Sequence, residues 1–252
     1  DDESVSIDTL RRSEAGAAEL RTIAVEKGVS GHTLKYMSET EHASLEEILK
    51  KNPDGLIARA YHFAEKAHRG QKRNSGGPFF EHVKETGRIL ALWHIDEATV
   101  AAGLLHDTIE DTTVTLQDIK EKFGEEVAFL VDGATKLGKI RYQKEEVREI
   151  ESLRKMIIAL SEDLRVIFIK LADRLHNMKT LSALPPIKQK RLALETDEVY
   201  APIAYRLGMQ HVSGELRDLA FPYLHPKEYE WLRKTTLERY EERQDYLESI
   251  KP

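Results

Sequence analysis

His106, Asp107, Glu110 and Asp111 close the stretch VAAGLLHDTIEDTT at residues 100–113, after an apolar and small-residue run from Ala98 to Leu105 broken only by Thr99. On a helix, positions four apart share a face, so His106 lies over Glu110 and Asp107 over Asp111. Three carboxylates beside a histidine are costly to bury unless a cation or a hydrogen-bond network satisfies them. An adjacent His and Asp are also the simplest mixed nitrogen-and-oxygen grip on a divalent metal. Taken alone, such a dipeptide is more often a helix end whose acids are ordinary surface charge.

Two more polar groups interrupt apolar text in the same way. His82 stands in the first turn of a helix, after Phe79, Phe80 and a loop at 70–78, GQKRNSGGP, that holds Lys72, Arg73 and Ser75. Asp173 stands in FIKLADRLHNM, preceded by Ile167, Phe168, Ile169, Leu171 and Ala172. A carboxylate there needs a strong partner. A salt bridge to Lys170 or Arg174 is the plain alternative, although a surface pair would not require the apolar flank. Asp173, Asn177 and Thr180 project from one helical face. Together His82, His106, Asp107 and Asp173 make a two-nitrogen, two-oxygen set drawn from three helices. That set suits manganese, iron or zinc better than calcium or magnesium, which prefer oxygen alone. Such an ion acidifies a bound water and polarises a phosphoryl group. Glu110 and Asp111, just beyond the ligands, are placed to orient or deprotonate that water.

The elements that must position these groups read as helix almost throughout. Residues 7–27 are rich in Ala, Leu and Glu, and Ser44 opens a capping box, SLEE, for a short helix to about Lys51. Asp54 is the expected cap of a helix whose Leu56, Ala60, Phe63, Ala64 and Ala67 form a stripe. Helices are expected from Glu81 to Trp93, after an Asp96 cap, from Thr115 to Phe123 and from Glu125 to Ala134. The charged stretch KLGKIRYQKEEVRE at 136–149 reads in its first half as a mobile loop. Helix resumes from Glu151 to Leu160. Asp163 then caps a β-branched run, which is read as helix because no turn signal separates it from a helical tail. Pro185 and Pro186 start a helix to about Leu207, and helices over Gln210 to Ala220 and from Pro226 onward complete an all-α chain. No glycine-rich strand-turn-helix for a nucleotide phosphate is present.

Composition narrows the partners. A net charge of −6 over 252 residues supplies no global basic field for nucleic acid, so an anionic substrate must be held by local Lys and Arg. The absence of cysteine removes disulfides, thiolate metal sites and a cysteine nucleophile, and fits a cytoplasmic compartment. No apolar run approaches the roughly 18 residues a membrane span requires.

The order H…HD…D is similar to the metal signature of the HD-domain phosphohydrolases. The surrounding text resembles one branch, the hydrolase domain of RelA/SpoT-homologue enzymes, which degrade the alarmone guanosine 3′,5′-bis(pyrophosphate), ppGpp. The matching stretches are AHRGQKRNSGGPFFEH (67–82), TVAAGLLHDTIEDTTVT (99–115), VDGATKLGKI (131–140), RKMIIAL (154–160) and VIFIKLADRLHNMKTL (166–181). ETDEVYAPIAYRLGM and GELRDLAFPYL extend the similarity, which covers about residues 50–232.

The resemblance implies an HD-domain helical bundle in which His82, His106, Asp107 and Asp173 hold manganese and Glu110 and Asp111 form the catalytic pair. It places substrate contacts on Arg73, Asn74 and Ser75 in the loop, on Arg141 in the charged stretch, on Asn177 and Thr180, and on Leu184 near the base. Family members commonly carry a basic residue, a glutamate and a proline where this chain has Asn74, Gly77 and Val83. None of these is a ligand, so the departures touch nucleotide contacts rather than the metal. The implied reaction removes pyrophosphate from the 3′ position of ppGpp or pppGpp to leave GDP or GTP, as part of stringent-response control. The implied partners are the guanine nucleotide and a synthetase domain in a longer chain, with no membrane and no direct nucleic-acid contact. The expected layout is a helical extension over 1–50, the hydrolase domain over 51–207 and helices over 208–252 leading towards a synthetase. A stand-alone hydrolase is the alternative. Two other functions stay open: an HD phosphohydrolase acting on another nucleotide such as NADPH, or a switched-off, nucleotide-binding regulatory half of a bifunctional enzyme. His62 reads as a packed or capping histidine and His176 as structural.

Overall fold

A computed structural model describes residues 44–138 and 163–236. The helices expected over 7–27 and 151–160, and Arg141, lie outside the described residues. Among the described residues the fold is all-α, as expected, and the one β-type pairing is an isolated antiparallel bridge between Lys72 and Pro78.

Helix α1 (Leu45–Lys51) begins with the capping box read from SLEE: Ser44 accepts the Glu47 N–H while Glu47 accepts the Ser44 N–H. Helix α2 (Leu56–Ala67) corrects the expectation at Asp54. Its N-cap is Gly55, which brings no side-chain bond; a turn closed by the Gly55 N–H on the Asn52 carbonyl delivers the chain into the helix. A Cβ at Gly55 would stand 2.5 Å from the Asn52 side chain, so this tight turn, not a carboxylate, sets the start. Helix α3 (Phe80–Leu92) follows the glycine-rich loop, and α4 (Glu97–Leu105) opens as expected, with the Asp96 carboxylate accepting the Thr99 N–H at 3.0 Å and its hydroxyl at 2.7 Å.

A short α5 (Thr108–Asp111), α6 (Leu116–Phe123) and α7 (Glu125–Gly138) come next. Thr115 and Asp118 form a second capping box at the start of α6. Because α7 runs through Gly138, the stretch expected as loop from Lys136 is still helical there. Lys136 in fact joins that helix by an i,i+4 pair with Asp132. Helix α8 (Arg165–Lys179) confirms helix for the β-branched run. Asp163 serves its first turn from just outside the helix, accepting the Arg165 N–H at 2.9 Å.

The single helix expected from Pro186 to Leu207 is α9 (Pro186–Glu195), a π-helical turn (Thr196–Tyr200) and α10 (Ala201–Arg206). Pro202 has no N–H to return to the preceding turn, and a wider turn there absorbs the missing donor. Helix α11 (Gln210–Leu224) packs on α8, α9 and α10, and residues 226–236 are helical.

Every residue of α4 from Ala98 to Leu105 is buried. A helix that is apolar all round has to be covered all round, and α2, α3, α7 and α8 all pack against it. Burying Val100, Leu104 and Leu105 contributes about 1.5–3 kcal/mol each. The α3–α4 crossing is close because each helix offers the other a glycine. Gly87 of α3 faces Leu104, where a Cβ would lie 2.5 Å from the leucine methyl, and Gly103 of α4 faces Leu90. That crossing brings the start of α3 and the end of α4 to the same place. No helix among the described residues is long and apolar enough to cross a membrane.

Candidate metal centre

His82 lies in the first turn of α3 and is buried; His106 and Asp107 follow the last residue of α4; Asp173 lies in the middle of α8. The single helix assumed from residue 100 to 113 is interrupted at His106 and Asp107. The cause is local. The Gly103 carbonyl accepts from His106 Nδ1 at 2.8 Å and the Leu105 carbonyl from the Thr108 hydroxyl at 2.6 Å, so side chains compete for carbonyls that a continuing helix would use. The spacing of Asp107 and Asp111 survives the break, because the Asp111 N–H still bonds the Asp107 carbonyl at 2.9 Å.

The four sequence candidates converge. His82 Nε2 lies 3.4 Å from Asp107 Oδ2 and 3.2 Å from Asp173 Oδ1. His106 Nε2 lies 3.1 Å from Asp107 Oδ1 and 3.8 Å from Asp173 Oδ1. Ligand atoms of His82, His106 and Asp107 all fall within 4.8 Å of one another, a grouping that could hold a metal ion. His106 Nε2 is buried and unaligned with any hydrogen-bond partner. Since the Gly103 carbonyl can only accept, the neutral ring carries its proton on Nδ1 and turns the Nε2 lone pair on the cluster. Two imidazole nitrogens and two carboxylates, one nitrogen unsatisfied, fit a divalent transition-metal cation.

The electrostatics are those of a tightly bound cluster. Burial pushes His106 down, but Asp107 and Asp173 outweigh it and lift the imidazole to about 8. Burial pushes both aspartates up, and it too loses: His106 and His82 hold Asp107 well below the usual carboxylate range, and Lys170 with the two histidines does the same for Asp173. Lys170 therefore realises the salt bridge weighed against the metal reading, at 3.6 Å from Asp173. The pair is buried rather than superficial, and the ammonium also lies in the fields of Asp107, Tyr200 and Glu110. Burial opposes the Lys170 charge, and the carboxylates of Asp173 and Asp107 raise its pKa regardless.

Arg73 is delivered by a clipped turn. The Arg73 N–H bonds the Gly77 carbonyl and the Gly76 N–H returns to the Arg73 carbonyl, both at 2.9 Å, with Gly76 at φ +86°. That left-handed backbone favours glycine. Asn74 and Ser75 stand exposed at the tip, while the half-buried Arg73 side chain reaches back to Asn177 Oδ1 at 2.6 Å. Asn177 in turn donates to Asp173 Oδ1 at 2.6 Å. Glu110 and Asp111 are exposed on α5. Partial shielding of the Asp111 carboxyl on its inner side, then the Asp107 charge, raises its pKa, with His68, His106 and His82 pulling the other way. The Thr180 hydroxyl bonds back to the His176 and Asn177 carbonyls, and half-buried Leu184 packs against the core just after it. His62 is exposed beside Glu65, 3.7 Å away.

His176 is more than structural. Its Nδ1 lies 2.7 Å from His82 Nδ1 and 3.3 Å from Arg73 Nη1, so the rings of His82 and His176, with centroids 5.0 Å apart, meet edge to edge through these nitrogens. Its position three residues after Asp173 was the available signal, since that spacing shares a helical face. Gln71 is a second addition: it joins His68 Nδ1 at 2.7 Å and donates to the Asp111 carbonyl at 2.6 Å, anchoring α5 to the loop.

Residues 60–210 match a family model described as an HD domain. The chain belongs to the HD-domain family. Within it, the relatives place the chain in the RelA/SpoT branch. It is 47% identical over 187 residues to the guanosine-3′,5′-bis(diphosphate) 3′-pyrophosphohydrolase of Haemophilus influenzae, covering 74% of this chain and 28% of that protein. It is 50% identical over 191 residues to the GTP pyrophosphokinase of Streptomyces coelicolor, covering 76% of this chain and 22% of that one. A solved structure of a metazoan ortholog of SpoT that hydrolyses ppGpp is 25% identical, with a TM-score of 0.49 over 69% of this chain and 97% of that chain. The HD-domain chain spans less than a third of the length of these curated relatives.

Proposed function

We propose that this HD-domain chain hydrolyses guanosine 3′,5′-bis(pyrophosphate) and its pentaphosphate form, releasing pyrophosphate from the 3′ position to leave GDP or GTP, with manganese bound by His82, His106, Asp107 and Asp173. The observation that carries the reading is the convergence of those four side chains from α3, the α4–α5 break and α8, with Arg73 tied to Asp173 through Asn177. The Haemophilus relative, named for this reaction, supports the substrate. When bound, the cation supplies Lewis acidity, activating water and polarising a phosphoryl oxygen.

The chain's own residues supply the rest. Arg73 keeps donors beyond the one on Asn177, and a guanidinium suits the paired oxygens of a phosphate. Asn74, Ser75 and Arg141 are the further phosphate contacts in this proposal, with Asn177 and Thr180 on the nucleotide and Leu184 against the base. Glu110 and Asp111 stand at the solvent rim of the cluster, where one orients the attacking water and the other accepts its proton. Lys170 holds Asp173 ionised.

Relative kcat/KM on ppGpp, pppGpp, GTP and NADPH tests the assignment. The 3′-pyrophosphorylated nucleotides are expected to lead. Preference for a nucleotide with no 3′ phosphate would remove the alarmone from the proposal and keep the phosphohydrolase.

A further inference from the structure

Five side chains form a ring of close polar contacts that runs through the candidate ligands His82 and Asp173. Along one side, Arg73 Nη2 donates to Asn177, Asn177 donates to Asp173 Oδ1, and Asp173 Oδ1 lies 3.2 Å from His82 Nε2. Along the other, His82 Nδ1 meets His176 Nδ1 at 2.7 Å, and Arg73 Nη1 meets that same His176 nitrogen at 3.3 Å. Two imidazole nitrogens so close share one proton, and distance alone does not say which of them owns it.

Arg73 decides. A guanidinium has five donors and no acceptor and stays charged in proteins, so the His176 nitrogen facing it must accept. That nitrogen has no proton to give His82. His82 Nδ1 is therefore the donor, and in the neutral ring the His82 lone pair sits on Nε2, the atom that faces Asp107 and Asp173. His106 reaches the same state independently, through the Gly103 carbonyl.

We infer that His176 is a positioning residue that transmits a tautomer requirement from Arg73 to His82, so that one shared acceptor sets both the phosphate-gripping arginine and a metal-holding histidine. The inference rests on the metal reading proposed above. Metal-ligating histidines usually donate their second N–H to a carboxylate, a carbonyl or water. A carboxylate here would also neutralise Arg73. A neutral imidazole orients His82 and leaves the guanidinium charge available to phosphate. The place of His176 is fixed, because it shares a face of α8 with Asp173 and its ring plane lies 28° from that of His82, which lets the two Nδ1 atoms meet in plane.

Calorimetric Mn²⁺ affinity of the nucleotide-free chain tests this with two variants. His176→Phe keeps an aromatic ring at the position and removes the acceptor, whereas His176→Asn gives up the ring and keeps an acceptor near the Nδ1 position. His176→Phe should bind Mn²⁺ about tenfold or more weakly, the scale for losing a partner of a metal ligand, and His176→Asn should recover most of that loss. Unchanged affinity in His176→Phe, or equal weakening in both variants, overturns the tautomer role and leaves the metal site standing. No Mn²⁺ binding by the unsubstituted chain overturns the metal reading itself. A second measurement needs no variant to fold: histidine nitrogen NMR shifts of the metal-free chain should show His82 protonated at Nδ1 and His176 bare at Nδ1. The opposite pattern overturns the inference.

Discussion

Glu110→Gln, His82→Ala and Arg73→Ala remove three different contributions, and they should fail in three different ways. The glutamine keeps size and hydrogen bonding without charge, so kcat should fall about 10²-fold or more while Mn²⁺ affinity holds. His82→Ala should lose Mn²⁺ affinity and recover in part with excess ion, whereas Arg73→Ala should show mainly a raised KM. A Glu110→Gln chain that lost its metal but worked in excess Mn²⁺ would reverse these roles. The acid–base behaviour gives another check. His106 titrates at about 8 in the metal-free protein, and an ion requires the unprotonated ring, so below that pH binding must expel a proton. Apparent Mn²⁺ affinity should therefore climb with pH by up to roughly tenfold per unit and level off above about 8. An affinity flat from pH 6 to 9 would contradict the His106 assignment. The four converging groups were legible because each interrupts apolar text, which residue type and spacing alone reveal. His176 was legible only as a residue on the Asp173 face: the atoms that define its role belong to residues 94 and 103 positions away.

Helix ends were legible where a side chain closes on its own neighbourhood, as Ser44 with Glu47 and Asp96 with Thr99 do. They were not legible where backbone geometry decides. Asp54 has the right residue type for a cap, yet the turn on Asn52 hands the start of α2 to Gly55. The break at His106 likewise depends on side chains winning carbonyls from the helix ladder, a competition that the apolar pattern of α4 does not encode. The α3–α4 crossing makes a prediction at this scale. Gly87→Val forces a branched side chain into Leu104, whose Cγ would lie 2.7 Å from the new Cβ. Overpacking of this kind costs about 1–3 kcal/mol, and the two histidines ride on the helices being pushed apart. The expected outcome is a lower Tm together with weaker Mn²⁺ binding, although residue 87 touches no ligand. Loss of Tm with unchanged metal affinity would show that the crossing stabilises the fold without positioning the site.

For the whole molecule, the all-α class followed from periodicity and from the absence of strand and phosphate-loop signals, while the arrangement of α9, the π-helical turn, α10 and α11 around α8 did not. Those helices are joined by packing among distant residues, and Pro202 accounts for the turn only once the structure shows where it falls. In the function proposed, one divalent ion, held where α3, the α4–α5 break and α8 meet, is required for removing the 3′ pyrophosphate. Chelated protein should be titrated with Mn²⁺ while pyrophosphate release from ppGpp is followed in parallel with bound metal. No turnover is expected in the chelated protein, and the rate should rise in proportion to occupancy, reaching its plateau at one ion per chain. Full turnover in chelator, or saturating Mn²⁺ with no pyrophosphate released, would contradict it.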